Sequence, residues 1–142
     1  MLLKRKLCAG EMNRVRILLA DDHPTVMARV TGILRDDFEI VGAVSNGRDA
    51  VIETLRLDPD VLVIDISMPI SNGLEAACQL QAAKVRTKVV FLTVHNDRDF
   101  VEAALSAGAS GYVTKADVAT DLVAAINEAL QGQIHISKSI SS

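Results

Sequence analysis

The run Val-Leu-Val-Ile-Asp at residues 61–65 decides the fold, because four successive apolar residues lead directly to one carboxylate. Comparable apolar runs lie at residues 15–20 (VRILLA) and 88–93 (KVVFLT). Continuous apolar runs of this length predict strands that are buried on both faces, as in a parallel sheet. Weaker strand patterns at residues 39–44 (EIVGAV) and 110–114 (SGYVT) bring the predicted number of strands to five.

Helical patterns separate these strands, and a further helical pattern follows the last one. Pro24 suits the first turn of the first helix, and Gly108 suits the end of the fourth. Strict alternation of strands and helices predicts right-handed crossovers and one parallel sheet covered on both faces. We therefore predict an α/β, doubly wound (βα)5 domain of flavodoxin-like type with strand order 2-1-3-4-5. The five apolar stripes are Val26, Val30, Ile33 and Leu34; Ala50, Val51, Thr54 and Leu55; Leu74, Ala77, Cys78 and Gln81; Phe100, Val101, Ala104 and Leu105; and Val118, Leu122, Ile126 and Leu130.

The composition limits the class of protein. The chain has 142 residues, of which 49 % are hydrophobic, and a formal net charge of −3. This length suits one compact domain, and the hydrophobic content excludes a disordered chain. No apolar run approaches the ~20 residues that span a bilayer, so we expect no membrane segment. The acidic balance and the lack of Trp argue against a nucleic-acid surface within this chain.

Both ends of the chain differ in composition from its centre. Residues 1–13 (MLLKRKLCAGEMN) are basic but lack a long apolar core, so they predict a disordered leader rather than a signal peptide. Residues 14–132 form the predicted domain, and the Ser-rich residues 133–142 are interpreted as the start of a linker or a cut end. Two cysteines make no disulfide framework, and Cys78 is expected to be a buried thiol. We therefore predict a cytoplasmic protein.

Polar side chains follow the predicted strands at the edge where a parallel sheet forms its sites. Asp21 and Asp22 follow the first strand, Asp65 ends the third, Thr93 ends the fourth and Lys115 follows the fifth. Two carboxylates ~4 Å apart repel by about 4 kcal/mol at an effective dielectric constant of about 20. Such a cluster needs a cation or partial protonation. The all-oxygen donor set favours Mg²⁺.

A bound Mg²⁺ suggests phosphoryl chemistry at this edge. Asp65 could serve as a nucleophile that forms an aspartyl phosphate, while Lys115 and Thr93 contact phosphoryl oxygens. Each residue also has a structural interpretation, with Asp21 and Asp22 capping the first helix and Asp65 capping a loop. No Cys/His spacing is typical of zinc, so the neighbouring His23 and His95 are predicted not to be ligands.

Four segments carry a resemblance to a known family. They are ILLADDHP (17–24), VLVIDISMPISNGLEA (61–76), VVFLTVHND (89–97) and AGASGYVTKA (107–116). Together they resemble the receiver domain of two-component response regulators. Their details are most similar to the NarL/FixJ branch, whose members usually continue into a LuxR-type helix-turn-helix DNA-binding domain. One departure is Ala116, which stands where many receivers have proline.

The resemblance implies a phosphorylation-dependent signalling switch that regulates transcription and is not a turnover enzyme. A sensor histidine kinase would phosphorylate Asp65, and the phosphorylated domain would self-associate. DNA would be contacted only through a C-terminal helix-turn-helix domain, which we expect to be absent from this chain. The implied Mg²⁺ ligands are Asp22, Asp65 and the Ser67 backbone carbonyl, with Asp21 acting through water; Thr93 and Lys115 are the implied catalytic partners, and Thr93 and Tyr112 the implied switch residues.

Three alternatives stay open. The chain could be a stand-alone receiver that acts by protein contacts. It could be a Mg²⁺-dependent phosphohydrolase with an aspartyl nucleophile, but such enzymes usually carry an acid two residues after the nucleophile, where this chain has Ser67. It could also be a flavodoxin-like FMN binder, but the acidic ADDHP segment would repel the FMN phosphate where a phosphate-binding loop is needed.

Overall fold

The computed structural model describes residues 14–68, 70–138 and 140, so the predicted leader at residues 1–13 lies outside the described residues. The strands are β1 (Arg16–Ala20), β2 (Glu39–Val44), β3 (Val61–Ile64), β4 (Lys88–Thr93), β5 (Gly111–Thr114) and β6 (His135–Ile136). The helices are α1 (Pro24–Leu34), α2 (Gly47–Leu57), α3 (Gly73–Ala82), α4 (Arg98–Ser106) and α5 (Val118–Leu130), with a 3₁₀ turn at Lys115–Asp117.

All paired strands run parallel, in the order β2-β1-β3-β4-β5-β6. The predicted doubly wound α/β fold and the order of its first five strands are confirmed. The prediction of five strands is wrong, because β6 pairs with β5 and extends the sheet by one strand. Two residues in a polar, Ser-rich stretch give no strand pattern, so contacts distant in the sequence specify β6.

Contacts of Ser137 and His135 hold β6 in place. The Ser137 N–H donates to the Tyr112 carbonyl at 2.9 Å, and the Thr114 N–H donates to Ser137 Oγ at 3.1 Å. His135 lies between two carboxylates of α5, with Nε2 3.3 Å from Asp121 Oδ2 and Nδ1 3.2 Å from Glu128 Oε2. Part of the stretch interpreted as a linker therefore packs against β5 and α5.

The sheet divides the core in two, because neighbouring residues of a strand face opposite sides. On β1, Ile17 and Leu19 pack with residues of α1 and α5, whereas Leu18 packs with residues of α2, α3 and α4. The prediction of helices on both faces is confirmed. Within the part of the chain that the structure describes, no helix is long and apolar enough to cross a bilayer.

Helix α3 fixes the backbone that follows β3. Asn72 and Glu75 form a capping box, in which each side chain accepts a hydrogen bond from the other residue's backbone N–H. A Cβ atom at Gly73 would overlap the Asp65 carbonyl oxygen, so only glycine lets the helix approach this closely. The prediction that Cys78 is buried is wrong. Its side chain is exposed, because the inward face of α3 is formed by Ala76, Ala77 and Leu80.

Candidate functional site

The carboxyl ends of β1, β3 and β5 bring two carboxylates and one ammonium group together. Lys115 Nζ lies 2.9 Å from Asp21 Oδ2 and 3.1 Å from Asp65 Oδ2. Both carboxylates are almost fully buried, with side chains 5 % and 3 % exposed. Parallel strands have their carboxyl ends at the same edge of the sheet, so these groups meet although they are far apart in sequence. Lys115 therefore serves as the internal counter-ion of the site.

Asp22 and His23 form the exposed side of the cluster. His23 Nδ1 lies 2.9 Å from Asp21 Oδ1 and 3.1 Å from Asp22 Oδ1. The metal-ligating atoms of Asp21, Asp22, His23 and Asp65 all lie within 4.8 Å of one another. The three carboxylates offer the hard oxygen ligands that Mg²⁺ prefers, so this donor set fits a divalent cation. The sequence analysis placed His23 beside this edge and predicted that it is not a ligand.

Burial and charge shift the pKa values of the central groups. Burial raises the pKa of Asp65, and the neighbouring Asp21 charge adds to this effect, whereas Lys115 opposes it. Burial alone would lower the pKa of Lys115, but its contacts with Asp21 and Asp65 raise it. The result is a protonated lysine held beside a carboxylate whose negative charge is disfavoured by its surroundings. A cation or an additional positive charge would favour the ionised form of Asp65.

Ser67 and His95 meet at the mouth of the site. The Ser67 N–H donates to Asp65 Oδ1 at 3.3 Å, and Ser67 Oγ lies 2.8 Å from His95 Nε2. These residues belong to the loops that follow β3 and β4, and their contact lies in an exposed position. The contact therefore joins the loop that follows β3 to the loop that follows β4, close to Asp65. Sequence spacing placed both residues near this edge but did not predict their contact.

The two predicted switch residues are both buried and both bonded to His95. Thr93 Oγ1 accepts a hydrogen bond from the His95 N–H at 3.3 Å, and the Tyr112 hydroxyl donates to the His95 carbonyl at 2.8 Å. Burial and the charges of Asp97 and Asp65 raise the pKa of Tyr112 to about 12, so the hydroxyl keeps its proton. The Tyr112 side chain is turned inward and fully buried.

His95 also connects the site to a helix. Its ring stacks on Phe100 of α4, with ring centroids 4.1 Å apart and an angle of 17° between the planes. One residue therefore contacts the loop after β3, both switch side chains and α4. The sequence analysis did not predict this set of contacts, since they depend on the conformation of the loop between β4 and α4.

Comparison with known proteins identifies the family. The family model of the response regulator receiver domain matches residues 17–127, and the chain belongs to this family. Its relatives include a putative transcriptional regulator of Pseudomonas aeruginosa, which is 37 % identical over 84 % of this chain and 58 % of its own length. The nitrate/nitrite response regulator NarL of Escherichia coli is 34 % identical over 88 % of this chain and 59 % of its own length.

Solved structures agree with this assignment. A LuxR-family two-component response regulator from Aurantimonas superposes with a TM-score of 0.82 at 32 % identity, covering 88 % of this chain and 91 % of its own. The signal receiver domain of a response regulator from Mycobacterium tuberculosis superposes with a TM-score of 0.81 at 28 % identity, covering 84 % and 98 %. The predicted relationship to two-component, LuxR/NarL-type response regulators is confirmed. The chain spans under two thirds of the length of the curated relatives named above.

Proposed function

We propose that this receiver domain accepts a phosphoryl group on Asp65 from a sensor histidine kinase and thereby switches a regulatory output. One observation carries the proposal: the buried Asp65 carboxylate contacts a protonated lysine and lies among further carboxylates at the carboxyl end of the sheet. Phosphoryl transfer requires positioning and charge neutralisation more than covalent assistance, and this arrangement supplies both.

In the transfer, a carboxylate oxygen of Asp65 bonds to phosphorus while the bond from phosphorus to the kinase histidine nitrogen breaks. The electron pair of the broken bond stays on that nitrogen. Lys115 already contacts Asp65 and neutralises charge on the incoming phosphoryl group, and the Thr93 hydroxyl donates to one of its oxygens. Asp22, Asp65 and the Ser67 carbonyl would hold Mg²⁺, with Asp21 acting through water. When bound, Mg²⁺ supplies further neutralisation of the phosphoryl charge.

The reverse reaction makes the modification transient. A water oxygen bonds to phosphorus as the bond between phosphorus and the Asp65 oxygen breaks, which restores the carboxylate and releases inorganic phosphate. The domain thus modifies itself and does not turn over an external substrate. The phosphohydrolase alternative is disfavoured because Ser67, at the position of the usual second acid, has no carboxylate and instead contacts His95.

The output and location are further parts of this proposal. The relative from Pseudomonas aeruginosa is described as a transcriptional regulator, and NarL as a response regulator, which supports a transcriptional output. We therefore propose that phosphorylation in the cytoplasm promotes self-association and acts on DNA through a helix-turn-helix domain outside these 142 residues. A stand-alone receiver that acts by protein contact is the alternative, and the coding sequence beyond Ser142 distinguishes the two.

Incubation with a small acyl phosphate and Mg²⁺ tests the assignment. We expect intact-mass analysis to show one added phosphoryl group, which peptide mapping places on Asp65. Asp65→Asn keeps the side-chain size but removes the nucleophilic oxygen, so labelling should be lost. Asp121→Asn, a carboxylate variant on α5, should label like the wild type. Chelation of Mg²⁺ should also stop labelling. Equal labelling of Asp65→Asn would contradict the proposal.

A further inference from the structure

His23 stands apart from the other residues of the acidic site, because it offers a nitrogen ligand in a set of oxygens. Its ring is 58 % exposed, yet Nδ1 points toward three carboxylates. The distances are 2.9 Å to Asp21 Oδ1, 3.1 Å to Asp22 Oδ1 and 3.9 Å to Asp65 Oδ2. The imidazole nitrogen and the carboxylate oxygens therefore converge on one point.

The spacing of these atoms fits neighbouring positions around one cation. Ligand atoms that bind a metal at ~2.1 Å in octahedral geometry lie about 3 Å apart when they are adjacent. The 3.1 Å distance from His23 Nδ1 to Asp22 Oδ1 matches this value, whereas the 2.9 Å contact is with Asp21, which would act on the cation through water.

The Lys115 ammonium group also reaches the imidazole, with Nζ 3.3 Å from His23 Nδ1, so a cation bound by His23 would take over this contact. The ammonium group contacts the Oδ2 atoms of Asp21 and Asp65, whereas His23 faces the Oδ1 atoms of Asp21 and Asp22. The lysine and the imidazole thus lie against different oxygens of the shared Asp21 carboxylate. The side that faces His23 is also the exposed side of the cluster, through which an ion can enter.

We propose that His23 is an additional protein ligand of the receiver's cation site and shifts its preference toward divalent transition metals such as Mn²⁺ and Co²⁺. Imidazole nitrogen suits transition metals, whereas Mg²⁺ prefers oxygen ligands and gains little from it. The inference rests on the proposed function, because it requires that the carboxylate cluster binds a divalent cation. It changes the earlier prediction, based on zinc spacing alone, that His23 is not a ligand.

Metal titration of the tag-free, chelator-stripped chain tests this assignment. Calorimetry with Co²⁺ and with Mg²⁺, in separate experiments, gives the ratio of the two affinities. His23→Gln should weaken Co²⁺ binding about tenfold while changing Mg²⁺ binding by no more than about twofold. His135→Gln, which removes a histidine of β6 outside the site, should leave both affinities unchanged.

Pulsed electron paramagnetic resonance gives a readout that a structural role would not affect. The spectrum of bound Mn²⁺ should show coupling to an imidazole nitrogen in the wild type and in His135→Gln but not in His23→Gln. Persistence of the coupling in His23→Gln, or an equal loss of Co²⁺ and Mg²⁺ affinity in that variant, would overturn the role of His23. Failure of the wild type to bind either metal would instead overturn the cation site on which the proposed function depends.

Discussion

Lys115 changes the charge balance that the sequence suggests for the acidic cluster. Three carboxylates at one edge predict strong repulsion, but the ammonium group contacts both Asp21 and Asp65. Replacing either Asp21 or Asp65 by Asn leaves Lys115 with one carboxylate partner. Burial disfavours the ionised form of Asp65 and raises its pKa, and the Asp21 charge adds to this effect.

We predict that Asp65→Asn leaves the metal-free protein as stable as the wild type or more stable at neutral pH. A carboxyl group whose pKa is higher in the folded than in the unfolded state stabilises the fold while it is protonated. This stabilisation is complete at pH values below the group's pKa in the unfolded chain. That contribution is lost as the pH rises through the raised, folded-state pKa. The free energy of unfolding of Asp65→Asn relative to the wild type should therefore increase from acid toward neutral pH, by about 1.4 kcal/mol per unit of pKa shift.

Urea denaturation with a chelator present, across this pH range, measures the difference. Asp21→Asn is a second variant, which keeps the contact between Lys115 and Asp65 and removes the neighbouring charge. It should likewise be no less stable than the wild type, and its Mg²⁺ affinity should fall. A clear loss of stability in both variants at neutral pH would show that these carboxylates act as structural caps.

The contact between Ser67 and His95 lies close to Asp65, because the Ser67 N–H donates to Asp65 Oδ1. The 2.8 Å contact joins the loops that follow β3 and β4, and we expect it to limit the approach of a hydrolytic water to the phosphorus. We predict that a Ser67→Ala/His95→Ala double variant changes the dephosphorylation rate several-fold while Mg²⁺ affinity changes little. The Ser67 backbone carbonyl, which would serve as the metal ligand, is retained in this variant. Decay of the phosphoryl label after removal of the donor measures the lifetime, and an unaltered lifetime would remove both side chains from the mechanism.

At the scale of elements, the loop between β4 and α4 joins the two switch residues. The backbone of His95 bonds to Thr93 Oγ1 through its N–H and to the Tyr112 hydroxyl through its carbonyl. The ring of the same residue stacks on Phe100. If the Thr93 hydroxyl turns to a phosphoryl oxygen, it gives up the His95 N–H, and the loop loses one of its anchors. This gives the switch a physical link to α4 and β5.

We predict that phosphorylation alters hydrogen exchange over residues 93–118, which cover this loop, α4 and β5. Thr93→Ala should still be phosphorylated on Asp65 but should show a reduced change over the segment, because the hydroxyl that moves is missing. Thr54→Ala, a buried threonine substitution on α2, is the matched control and should respond like the wild type. A full response in Thr93→Ala would show that the signal leaves the site by another route.

The same elements show how far sequence reasoning reaches. The first, third and fourth strands could be predicted because each is a continuous apolar run in a doubly covered sheet. Their carboxyl ends then placed Asp21, Asp22 and Asp65 at one edge. Strand β6 could not be predicted, since two residues have no period and depend on contacts with β5 and α5. The contacts of His95 likewise follow from a loop conformation that no local pattern specifies.

At the scale of the whole molecule, acidic residues outnumber basic ones. The formal net charge is −3, and the acidic cluster occupies one end of the sheet. Within the described residues, several basic side chains also lie within ion-pair distance of carboxylates, which reduces their ability to contact phosphates. These pairs are Arg56 with Glu53, Arg86 with Asp58 and Asp60, Arg98 with Glu102, and Lys115 with Asp21 and Asp65.

We predict that this 142-residue chain does not bind duplex DNA tightly, either before or after phosphorylation. Binding to duplex DNA requires several unpaired cations along one surface and weakens steeply as salt increases. Fluorescence anisotropy with a labelled duplex at about 50 mM and about 200 mM salt measures both features, because each released counter-ion adds to the salt dependence. Phosphorylation adds negative charge beside Asp65 and should not create affinity for DNA in this chain. Tight binding that falls steeply between the two salt concentrations would show that the chain itself carries a phosphate-contacting surface, and would contradict an output that depends on a further domain.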